Sequence, residues 1–73
     1  MLGEVISFSR MRGFGFLKPI PDDGQRDVYV HRTQLLNARY LIAGEVLEFV
    51  LAQDGDRRHA ERVRVERGDK DDE

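Results

Sequence analysis

Residues 12–17 read RGFGFL, and residues 27–32 read DVYVHR. Strand side chains point alternately to opposite faces, so Arg12, Phe14 and Phe16 share one face while Gly13, Gly15 and Leu17 share the other. A glycine opposite each ring weakens a strand, and a purely structural strand gains little from that arrangement. The second stretch divides in the same way: Val28 and Val30 form a β-branched face suited to a core, and Asp27, Tyr29 and His31 form a polar and aromatic one. If the two strands lie antiparallel side by side, Phe14, Phe16, Tyr29 and His31 pool into one patch of flat rings, with Arg12, Lys18 and Arg32 at its rim. The plainer alternative makes the phenylalanines core, since burying such a ring contributes roughly 1.5–3 kcal/mol. Against it, Val5, Leu17, Val28, Val30, Val46 or Leu47, Phe49, Val63 and Val65 already supply a small interior. On the residues alone, both readings remain open.

Outward from these strands, short apolar runs recur between turn signals, and no segment keeps an apolar stripe at helical spacing. The pattern predicts an all-β fold with strands over 3–10, 12–19, 27–32, 45–52 and 59–66, and Asp-Gly turns in PDDGQ and QDGD. Residues 33–44, TQLLNARYLIAG, are expected to form a loop with one helical turn at 33–36 capped by Thr33, because Asn37 and Gly44 interrupt anything longer. Five short strands with a long connection between the third and fourth suit a closed antiparallel Greek-key barrel, the OB-fold, which leaves no sheet edge exposed. The OB-fold is the leading candidate on strand count, with a small SH3-like barrel as the alternative. The domain is expected over 1–67, followed by an acidic, disordered tail, GDKDDE, at 68–73.

A chain of 73 residues makes one domain, burying roughly 60% of the surface its unfolded form exposes. Without cysteine it has neither disulfides nor thiolate metal sites, which fits a reducing, cytoplasmic location. His31 and His59 are far apart in sequence and make no ligand pair. There is no apolar run of about 18 residues, and MLGEVISF lacks the basic flank of a secretory signal, so a soluble chain without membrane contact is expected. The net charge of −2 is concentrated in the tail: residues 1–67 hold eleven basic and ten acidic side chains. Any positive site must therefore arise from local clustering. Ten of the twelve basic residues are arginine, a bias that genome composition explains as readily as arginine's planar grip on phosphate.

Flat rings exposed among cations suit a single-stranded nucleic acid, whose unstacked bases lie on the rings while its phosphates meet positive charge. Such stacking is worth ~1–3 kcal/mol per base and tolerates any base, whereas duplex, already stacked, fits poorly. No catalytic constellation competes with this reading. Asp22 and Asp23 are turn residues within PDDG, and His31 has no nucleophile or second ligand placed near it. Arg57, Arg58, Arg62, Arg64 and Arg67 read as a solvated turn and strand, with Arg57 or Arg58 the candidates to reach a bound strand's phosphates.

GEVISFSRMRGFGFLKP followed by DVYVH resembles the bacterial cold-shock domain, whose two ribonucleoprotein motifs take forms like KGFGFI and VFVHF. The resemblance runs from Gly3 to about Val65. It implies a five-stranded OB-type barrel that binds single-stranded RNA or DNA and acts as a nucleic-acid chaperone, expected here as a monomer without a small-molecule cofactor. Carried over by position, Phe14 and Phe16 are the stacking rings of the first motif, with Arg12 in place of its lysine. Tyr29 and His31 match the second motif, Phe8 the phenylalanine of the first strand, and Asp27 an aspartate that accepts a hydrogen bond from a base edge. First-strand parity is ambiguous: a bulge or bend would aim Phe8 at the patch, and the alternative is a Phe8 that is mainly core.

Three positions depart from the family. Ser7 stands where a tryptophan is usual, Arg32 stands where the second motif ends in phenylalanine, and a shortened loop leaves Tyr40 as an approximate stand-in for another ring. Two lost platforms imply weaker, more salt-dependent binding, offset in part if Arg32 stacks its guanidinium on a base. They also motivate the alternative of a protein-interaction module on the same barrel. A nuclease or other enzyme is not expected.

Overall fold

The computed structural model describes residues 1–65, so the expectations for the acidic tail and for Arg67 lie outside the described residues. Five strands, β1 (Leu2–Ser9), β2 (Phe14–Ile20), β3 (Val28–His31), β4 (Val46–Asp54) and β5 (Arg57–Val65), close into one barrel in the order β1-β2-β3-β5-β4. All neighbouring strands pair antiparallel except β3 and β5, which meet in parallel. The long 35–45 connection carries the chain to β4, which lies beside β1, and the β4–β5 hairpin then brings β5 back alongside β3 in the one parallel pairing. A meander of three strands and a fourth that returns to the first make the Greek-key closure expected of the OB-fold.

The interior follows the alternation of the strands. Val5, Leu17, Val28, Val30, Leu47, Phe49, Val63 and Val65 are all buried, and Leu47 rather than Val46 is the residue of β4 that turns inward. Leu41 and Ala60 complete the core. Leu41 belongs to the long connection, whose far end is tied to β1 by Val5 N–H donating to the Glu45 carbonyl at 2.9 Å and Gly44 N–H donating to the Val5 carbonyl at 2.8 Å, and whose near end is held to β5. Leu35 bridges to Val63, Leu36 N–H donates to the Val63 carbonyl at 2.8 Å, and Asn37 pairs with both backbone groups of Val65 at 2.9 and 3.1 Å.

Two bulges break the alternation. In β1 the register shifts between Val5 and Ser7; in β5 it shifts opposite Glu48 and Val50, where Arg62 adopts a left-handed φ of +51°. Each extra residue reverses the faces that follow it and bends the strand, as a narrow barrel requires. Ala60 and Val63 can both face inward only because of the second bulge. The β4–β5 hairpin closes on Gly55-Asp56, with Gly55 at φ +66° supplying the turn.

After β3 a single 3₁₀ turn spans Arg32–Gln34, and its cap is His31 instead of the expected Thr33. The Thr33 N–H donates to His31 Nδ1 at 3.2 Å. The Thr33 hydroxyl lies 3.0 Å from the same nitrogen, so one short turn fixes the ring from both sides of its cap.

Candidate nucleic-acid interface

β2 and β3 pair so that Phe14 lies opposite His31 and Phe16 opposite Tyr29. Opposed residues share a face, and the four rings form one patch. Phe14 and Tyr29 centroids are 5.8 Å apart, Phe16 and Tyr29 6.1 Å, Phe14 and Phe16 6.4 Å, and Tyr29 and His31 6.5 Å. These lie within the contact range of aromatic pairs, yet the patch is open: Phe16 and Tyr29 each keep 37% of their surface exposed. On the reverse side Gly15, Leu17, Val28 and Val30 face the interior. Valine and leucine build the barrel, which leaves the rings facing outward.

The rim is less cationic than the sequence suggests. Arg12 lies in the β1–β2 turn, before the strand begins, because Gly13 takes φ +79° and breaks the alternation there. Arg12 and Arg32 are both exposed, and the Arg32 side chain runs across Gly13, where a Cβ would lie 2.8 Å from its Cδ. Lys18 turns to Asp22 at 3.7 Å. The Arg10 guanidinium covers the Tyr40 ring at 3.9 Å, a cation–π contact that occupies one face of that ring. Asp27 is exposed at the edge of the patch, beside a cleft that Phe16 and Tyr29 also line.

Two expected site residues are placed otherwise. The β1 bulge sets Ser7 opposite Phe16 and Ser9 opposite Phe14, so Phe8, opposite Gly15, is turned to the inner side and packs partly buried against the core. The bulge anticipated from the parity of β1 exists, but it delivers Ser7 to the patch and takes Phe8 from it. Arg58 is buried at 8% exposure, and its guanidinium donates to Asp23 at 2.7 Å and to the Arg26 carbonyl. It is a structural clamp between β5 and the 21–27 segment, with both of its terminal nitrogens engaged. Arg57, its neighbour, is the exposed arginine.

Asp23 thus does more than form a turn. Its Oδ1 accepts the Gln25 N–H at 3.1 Å while Asp22 accepts from Gly24 at 2.9 Å, and Arg58 grips the remaining Asp23 oxygen. Hydrogen bonding from Arg58, then from the Gln25 backbone, holds the Asp23 carboxyl below the usual carboxylate range. A carboxyl depressed in the folded state stabilises the protein above its unfolded pKa, and that contribution disappears as pH falls through the folded value. Thermal midpoints of the protein and of Asp23→Asn, followed from about pH 7 to about pH 2, should therefore differ at neutral pH and converge in acid. A gap that persists in acid would remove the clamp as its cause.

The model of the 'Cold-shock' DNA-binding domain family matches residues 1–66. The chain belongs to the cold-shock domain family. Members of that family bind nucleic acid and are not enzymes. Over 54 residues, 71% of this chain, the cold-shock domain is 37% identical to cold shock protein CspA of Rhizobium meliloti, covering 75% of that protein. It is 41% identical over 58 residues to Glycine-rich protein 2 of Nicotiana sylvestris, 77% of this chain but only 26% of the plant protein. Among solved structures, drosophila Unr CSD456 superposes with a TM-score of 0.71 at 26% identity, covering 93% of this chain and 27% of that one. The cold-shock domain here therefore spans about a quarter of the longer relatives and three quarters of the bacterial one. Among the described residues no helix is long and apolar enough to cross a membrane, and no cluster of His, Asp or Glu could hold a metal ion.

Proposed function

We propose that this cold-shock domain binds single-stranded RNA or DNA by stacking bases on Phe14, Phe16, Tyr29 and His31, with Arg12 and Arg32 meeting phosphates, and acts as an RNA chaperone. The observation that carries this reading is the exposure of the ring cluster on a strand pair whose other face already supplies the core. Binding the open strand and not the paired one draws structured RNA toward its melted form by mass action. The cysteine-free composition is consistent with work in a reducing cytoplasm. Anisotropy of a labelled oligo-pyrimidine should report affinity that falls linearly in log–log form with salt, by about 0.7 per phosphate neutralised. No binding at low salt, or affinity indifferent to salt, would defeat the proposal.

Ser7 favours a second reading, a barrel that has given up part of its stacking face to bind a protein instead. Since Ser7 lies exposed and directly opposite Phe16, Ser7→Trp would set a new ring beside an existing one. Under the first reading it should tighten oligonucleotide binding roughly 5- to 150-fold, the equivalent of ~1–3 kcal/mol of stacking. Unchanged affinity would favour the second.

A further inference from the structure

Next to the platform a cleft of about 970 Å³ opens between the 21–27 segment and the tip of the β4–β5 hairpin, at the upper end of the size usual for small-ligand sites. Phe16 and Tyr29 line it from the platform, Asp27 from the edge of β3, and Asp54 and Asp56 from the hairpin. Both walls are fixed. The hairpin turns within two residues, and Arg58, at the base of the cleft, ties Asp23 and the Arg26 carbonyl to β5. Among the described residues, the carboxylates of Asp27, Asp54 and Asp56 make no ion pair, unlike Asp22 and Asp23, which are taken by Lys18 and Arg58. Arg26 and Arg57, both exposed on the same cleft, offset their charge. The site is therefore not simply repulsive to a phosphate backbone.

An ionised carboxylate only accepts hydrogen bonds. A base that continues the stack past Phe16 and Tyr29 would turn its edge toward acceptors. Cytosine presents an N4 amine, which aspartate accepts; uracil and thymine present an O4 acceptor at the same place, which a carboxylate opposes. We propose that this cleft is a nucleobase subsite selective for bases with an exocyclic amine, with Asp54 and Asp56 the residues that set the preference. The assignment rests on the single-strand reading above and adds a choice of base to a platform that by itself is indifferent.

Labelled oligo-cytidine and oligo-uridine of equal length, titrated at one salt concentration, test it. Oligo-cytidine should bind about fivefold or more tightly, within the range of one good base-edge contact. Asp54→Asn with Asp56→Asn, which turns half the acceptor atoms into donors on exposed side chains, should abolish or reverse that preference. Equal affinities, a preference for uridine, or a cytidine preference that survives both substitutions would overturn the subsite while leaving the platform standing. Failure of both oligomers to bind would overturn the two together.

Discussion

Replacing Phe14 and Phe16 together by alanine should weaken binding of a single-stranded oligonucleotide by between about thirtyfold and well over a thousandfold, with the barrel still folded. The lower bound takes ~1 kcal/mol per lost stacking surface and the upper ~3. Neither ring belongs to the core, which is built from Val5, Leu17, Val28, Val30, Leu41, Leu47, Phe49, Ala60, Val63 and Val65. The rings meet each other and Tyr29, and they stand opposite His31 and Tyr29 on β3 and Ser7 and Ser9 on β1. Truncation therefore removes ligand surface without opening an interior cavity. Anisotropy gives the affinity, and a thermal melt of the same preparation shows whether the fold survived. An affinity loss under threefold in a folded double variant would mean that the rings do not face the ligand, and the stacking mechanism would fail with them.

The strand alternation of RGFGFL and DVYVHR was sufficient to place Phe14, Phe16, Tyr29 and His31 together, because both strands are short, regular and adjacent. Alternation is a local rule, and it fails where an extra residue enters. Phe8 follows the β1 bulge, whose position depends on how β1 meets β2, so one residue of parity decided which of Ser7 and Phe8 reached the platform. Arg12 misled for a related reason: Gly13 at φ +79° ends the strand one residue after it. Arg58 was illegible in another way. Its partner Asp23 lies 35 residues earlier, and a DDG turn is complete chemically without an arginine. Nothing in a turn motif announces that its second carboxylate will meet a buried guanidinium from a strand so far along the chain. Leu41 escaped notice as core because it sits in a connection without periodicity, where only the closed barrel defines an inside.

Gly15→Ala should lower the melting temperature by about 12–24 °C, the shift that a loss of ~3 kcal/mol produces in a domain of this size. The physical reason lies at the bulge. An alanine Cβ at position 15 would run into the carbonyl oxygen of Ser7 and come within 2.7 Å of Phe8 Cα and 2.9 Å of its ring. The first two are backbone atoms and cannot turn aside as a rotamer can, so β1 would have to move away from β2 where the bulge carries Phe8 inward. Overpacking usually costs ~1–3 kcal/mol, and a collision with backbone puts this case at the top of that range or above it. Gly24→Ala is the comparison: its φ of +73° strains an alanine, but nothing lies within 4 Å, so the loss should be limited to the ~1–2 kcal/mol of a left-handed residue. A Gly15→Ala variant that melts no lower than Gly24→Ala would show that the two strands do not approach so closely. The expected order separates the two halves of the motif. Its rings serve the ligand and contribute little to the barrel, whereas its central glycine serves the barrel, letting β1 cross β2 closely enough that a ring on either side of it can face out.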